Sequence, residues 1–151
     1  MTPRELYSRI AVAEMVTWAL LIGGIILKYS GVTPMGVRIA GPIHGFTFLT
    51  YCVITVLLWV NNRWSFGRLI VGLLSSVIPF ATVPFERSAE KAGLLDGPWR
   101  FASSDEQPRG VLEQGLAFVV RKPQLAAVLI LIGVAVVFTI LLILGPPIPN
   151  R

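Results

Sequence analysis

The chain has 151 residues and a formal net charge of +5; 54% of it is hydrophobic, only 14% is charged, and the mean hydropathy is +0.74. Soluble domains carry about a quarter charged residues, so this composition excludes an ordinary water-soluble domain and points to an integral membrane protein. The basic residues are spread over flanks and loops with no stripe interleaved with aromatics, which argues against a nucleic-acid partner.

The first apolar segment runs from Ile10 to Lys28 and contains Glu14. It is long enough to cross a bilayer only if Glu14 lies inside it, because Met15 to Leu27 alone reaches about 20 Å. Arg9 and Lys28 read as interfacial stops. An acid in the apolar stretch and the lack of an A-x-A site argue against a cleavable signal peptide. Thr17 and Trp18 share the face of Glu14 at i+3 and i+4. Glu14 reads as a partner of Arg68 or Arg9, as a proton- or ligand-binding carboxylate, or as a snorkelling side chain.

Tyr29 to Gly41 holds Gly31, Pro34 and Gly36 and is expected to be a loop. The second segment follows within Ile39 to Asn62, 24 residues without Lys, Arg, Asp or Glu. Its opening, GPIHGF, contains the chain's only histidine, His44. Pro42 suits a first helical turn. Gly41 and Gly45 have the G-x-x-x-G spacing that lets helices approach closely, and Gly23-Gly24 offers a similar notch in the first segment. Cys52 reads as a buried, inert thiol. A short connection with Trp59 and Trp64 then predicts an antiparallel hairpin.

The third segment, Leu69 to Phe85, is uncharged over 17 residues and reaches 67–85 if Arg68 snorkels. Gly72 and Ser76 repeat the small-residue spacing, and Pro79 and Pro84 predict a kink. The stretch after Glu86 is polar, with Gly97-Pro98 and Pro108 as breakers, and its end, VLEQGLAFVV, reads either as a short interfacial helix or as a solvated linker. Pro123 to Asn150 is uncharged over 28 residues and predicts a last crossing.

The expected fold is an all-α integral membrane protein with four transmembrane helices at 10–28, 42–60, 67–85 and 124–145. Residues 1–91 form a three-helix core, 92–123 a polar connection and 124–151 an added helix and tail. Four crossings would bring His44 level with Glu86, beside Lys28, so a His44–Glu86 contact is one expectation. The other is a His44 that bonds a backbone carbonyl in its first turn. Loops one and three hold eight Lys and Arg against five in the other flanks, which leans toward those loops being cytoplasmic.

The stretches AVAEMVTW, LKY, GPIHGF, RWSFGR and IPFATVPFER, in this order and spacing, resemble the YdzA-like family of small bacterial integral membrane proteins, which carry a domain of unknown function numbered 3817. The resemblance covers about residues 8–91. It marks Glu14, Lys28, His44, Gly45, Trp64, Pro79, Phe80 and Glu86, and it implies a three-helix core and no reaction.

No P-loop, G-x-G-x-x-G, H-E-x-x-H or G-x-S-x-G motif occurs. The expectation is therefore a non-enzyme without catalytic residues, cofactor or metal, multi-pass in the bacterial plasma (inner) membrane. Its partners would be the bilayer and further helices, in a homo-oligomer or a larger membrane complex. The alternative is a small oligomeric transporter or channel that uses Glu14, His44 and Glu86.

Overall fold

A computed structural model of the protein describes residues 1–103 and 106–144. Among these there are six helices and no strand: α1 Pro3–Tyr29, α2 Met35–Asn61, α3 Phe66–Val77, α4 Thr82–Lys91, α5 Gly110–Arg121 and α6 Pro123–Leu144. Three of them, α1, α2 and α6, are long and apolar enough to cross a membrane. The end of the expected last crossing, from Gly145, lies outside the described residues, as do Ser104 and Asp105.

Helix α1 begins seven residues earlier than the apolar pattern predicts. Thr2 and Glu5 form a reciprocal capping box: the Glu5 N–H donates to Thr2 Oγ1 (3.2 Å) and the Thr2 N–H to Glu5 Oε2 (2.9 Å). This satisfies two otherwise unpaired donors, and Pro3 has none to lose. The turn into α2 is also shorter than expected. Gly31 takes φ +78°, and the Val32 and Thr33 N–H groups fold back onto Leu27 O. Helix α2 is under way by Met35, so Pro42 lies inside it rather than in its first turn. Helices α1 and α2, of 27 residues each, extend about 40 Å.

The expected third crossing, 67–85, is not one helix. A residue that precedes proline is driven out of the α region, and Ile78, before Pro79, has φ −94° and ψ 120°. Phe80 follows at φ +64°. The break reverses the chain instead of kinking it. Helix α4 then runs back along the first half of α1: Thr82 Oγ1 donates to Ala11 O (2.9 Å), and Arg4 pairs with Glu90. Helices α3 and α4 form a hairpin whose two ends lie at the amino-terminal end of α1. Its tip is level with Trp18, whose indole N–H donates to Ser76 O (3.0 Å).

The core sits in this same half. Tyr7 stacks on Tyr51 (ring centroids 5.5 Å), and Trp64 and Phe85 meet the Tyr7 ring edge to face. The polar connection folds over it. Trp64 Nε1 donates to Leu94 O (2.7 Å) and Trp99 Nε1 to Met1 O (3.0 Å). The end of the connection is the helix α5, whose Leu116 and Ala117 pack near Leu57 and Val60 of α2. Helix α6 leaves from there antiparallel to α2, and Phe138 reaches Gly45.

Arg100 fastens the connection to the end of α2. Its guanidinium donates to Val60 O (3.1 Å), Glu106 and Glu113 (2.9 Å), and its backbone N–H donates to Asn61 Oδ1 (2.9 Å). The bond from Arg100 holds the Glu106 carboxyl below its ordinary value; the Arg109 N–H, and then Arg100, do the same for Glu113. Depressed carboxylates contribute stability above their unfolded value and lose it as pH falls through the folded one. The connection is therefore expected to loosen in acid, read as faster hydrogen exchange at residues 96–103. Arg100→Ala should give the same loosening at neutral pH.

Candidate functional site

The polar residues of the long helices meet near the middle of α1. Glu14, Thr17 and Trp18 share one face there, and His44 reaches them from α2. Glu14 is 0% exposed and His44 is also buried. His44 Nδ1 lies 3.1 Å from Thr17 Oγ1 and 3.7 Å from Glu14 Oε2. Thr17 donates its hydroxyl proton to Glu14 O (3.0 Å). Glu14 Oε2, at 3.4 Å, is a second acceptor for that proton, and with either one taken the hydroxyl accepts from His44 Nδ1 in the Nδ1–H tautomer. The Trp18 ring covers His44 at 4.4 Å between centroids. Glu14 Oε1 has no hydrogen-bond partner among the described residues.

His44 thus meets Glu14, not Glu86 as four crossings would require. The early helix starts explain this. Glu14 lies about three turns into α1 and His44 about two and a half turns into α2, where the apolar pattern placed each about one turn from an end. Antiparallel helices bring such positions together. The reversal at Pro79 separately carries Glu86 away. It is buried on α4, about 10 Å along α1 from Glu14 at the level of Tyr7, and no hydrogen bond or ion pair joins it to His44 among the described residues. Lys28 is at the far end of α1, over the Tyr29 ring (5.5 Å). Arg68 lies over Phe85 (5.7 Å) rather than beside Glu14.

Separate from this site, a row of buried hydroxyls lies toward the amino-terminal end. Ser75 Oγ donates to Gly72 O (2.6 Å) and so accepts from Tyr51 OH (3.0 Å), which in turn accepts from Tyr7 OH (2.7 Å). Thr55 also donates to Tyr51 O (2.8 Å). Ser76 Oγ is 3.8 Å from Cys52 Sγ. The apolar pattern hid Tyr7 and Tyr51 because it gives no partner for a lone hydroxyl; only their place on the inward face would have marked them.

The small residues serve unequally. Gly45 receives the Phe138 ring, and Gly72 lies against Thr55 and Phe85, with Ser76 buried beside them. Gly41, expected at a contact, faces open space. The closest crossing is Gly24 on Gly36: a Cβ on Gly24 would stand 2.6 Å from Gly36 C. Gly36 went unmarked because it lies in what reads as a loop.

Among the described residues no three His, Cys, Asp or Glu side chains gather as metal ligands would. The model of a family described as a domain of unknown function, DUF3817, matches residues 4–91. A Streptomyces coelicolor protein, SCO5905, whose name describes it as a membrane protein, is 43% identical over 94 residues. That stretch is 61% of this chain but 11% of the relative, so the chain spans only a small part of the curated relative it matches. No solved structure matches.

Proposed function

Since the chain belongs to the DUF3817 family, a domain of unknown function, we propose that it is a non-enzymatic, multi-pass protein of the bacterial plasma (inner) membrane that packs as an accessory subunit against further helices. The observation that carries this is the tip of the α3–α4 hairpin. It lies at the depth of Trp18, near mid-bilayer, yet Val77, Ile78 and Phe80 are exposed and the backbone there is not helical. Irregular backbone at that depth is tolerated where protein or a water-filled cavity surrounds it, not against lipid chains. A neighbouring helix, from a second copy or another protein, supplies the cover. The relative supports this, because there the matched stretch is a tenth of a longer chain that brings further sequence of its own.

The reading has three crossings, α1, α2 and α6, with α3–α4 re-entering from the amino-terminal side. This reverses the lean on orientation. The third connection joins the amino terminus on one side, so ten basic residues lie there: Arg4, Arg9, Arg63, Arg68, Arg87, Lys91, Arg100, Arg109, Arg121 and Lys122. Lys28 and Arg38 lie opposite. The bias of cytoplasmic loops toward Lys and Arg then puts the amino-terminal side in the cytoplasm. The transporter alternative has less support, since the carboxylate at Glu86 lies about 10 Å along α1 from Glu14 and is not joined to the site.

A photo-crosslinker at Ile78 in native membranes tests the reading. The expected product is a protein adduct of fixed mass, absent when the crosslinker is moved to Leu129 on the outer face of α6. Lipid adducts alone at Ile78 would refute it.

A further inference from the structure

We infer that Glu14 and His44 form a proton-binding site at mid-bilayer that exchanges with the amino-terminal side only. The site is built on geometry. A carboxyl group with no exposure and one oxygen, Oε1, without a partner is costly to bury as an isolated charge. An imidazole at 3.7 Å makes the two groups a neutral unit when they hold two protons between them. Glu14 is then either a carboxylic acid beside a neutral imidazole or a carboxylate beside an imidazolium. The ligand is a proton rather than a metal ion, because one carboxylate and one hydroxyl are too few oxygens for a hard cation, while imidazole is a proton carrier.

The sidedness comes from what lies above and below. Toward the amino-terminal side stand Cys52 and Tyr51 on α2, Ser75 and Ser76 on α3, Tyr7 on α1 and Glu86 on α4. In the other direction the two helices touch through backbone alone at Gly24 and Gly36. The side chains between that turn inward are apolar; Arg38, which lies between Gly36 and His44, is exposed, and Lys28 lies beyond the contact. Uptake therefore takes a proton from water on the amino-terminal side and forms one O–H or N–H bond; release returns it to the same water.

The test uses the full chain in vesicles with the amino terminus outward. His44 is the only histidine, so imidazole ¹⁵N labelling reports it alone. Acidifying the outer buffer is expected to change the His44 signal, and acidifying the lumen alone to leave it unchanged. The infrared carbonyl band of a buried carboxylic acid should change at the same midpoint, in unaltered protein. Glu14→Gln should remove that band and move the His44 midpoint by at least a tenfold change in proton concentration. A His44 signal that ignores pH on both sides, or a midpoint unmoved in Glu14→Gln, overturns the site. An equal response to the lumen overturns its sidedness. None of these outcomes depends on which partner covers the hairpin tip.

Discussion

Gly24→Ala is expected to lower stability by about 1–3 kcal/mol, the usual cost of forcing extra volume into a closed contact. The new methyl would stand 2.6 Å from Gly36 C and 2.8 Å from Val37 N. These are backbone atoms, so no side chain can swing aside; the two helices must separate. Gly36→Ala meets Gly24 Cα at 2.7 Å and should act alike. Gly41→Ala is the control. Nothing lies within 4 Å of its Cβ position, and alanine is the better helix former by roughly 0.5–1 kcal/mol. Thermal unfolding in detergent should show a lower midpoint for the first two variants and an equal or higher one for the third. If all three behave alike, the glycine crossing is not the closure between α1 and α2.

His44→Leu should destabilise the chain by about 3 kcal/mol, the low end of what an uncompensated buried charge costs. The low end applies because Glu14 can lose its charge by taking up a proton. The double change Glu14→Leu with His44→Leu removes both demands and should recover most of that loss, since buried pairs replaced by apolar side chains are often neutral. Chemical unfolding of the two single variants and the double variant measures this coupling. Additive losses would mean that the imidazole and the carboxylate do not act as a pair.

The membrane class was legible because hydropathy depends on composition, and the expected segments 10–28 and 42–60 lie within α1 and α2, each of which starts seven residues earlier, while 124–144 lies within α6. The errors came from local signals that hydropathy does not weigh. The Thr2-Pro3-Arg4-Glu5 box sets where α1 starts, and charge-based trimming removed it. Gly31 and Pro34 mark a turn of a few residues, which a glycine- and proline-rich stretch made to look longer. Those two shifts moved Glu14 and His44 from helix ends to helix middles and changed their partner. Pro79 was read as a kink, but the extended residue before it, together with Phe80 at positive φ, permits a full reversal. That Thr17 and Trp18 share the face of Glu14 was visible from spacing alone, and both line the site.

The hairpin also gives the molecule an uneven girth. On the amino-terminal half five helices stand side by side, α1, α2, α3, α4 and α6; beyond the turn at Pro79 only α1, α2 and α6 continue. In the three-crossing arrangement proposed above, lipid tails in one leaflet would be displaced over a wider footprint than those in the other. Such a wedge fits most easily where the sheet of lipid bows toward its broad end, so shape as well as partners would govern where in the cell envelope this protein gathers.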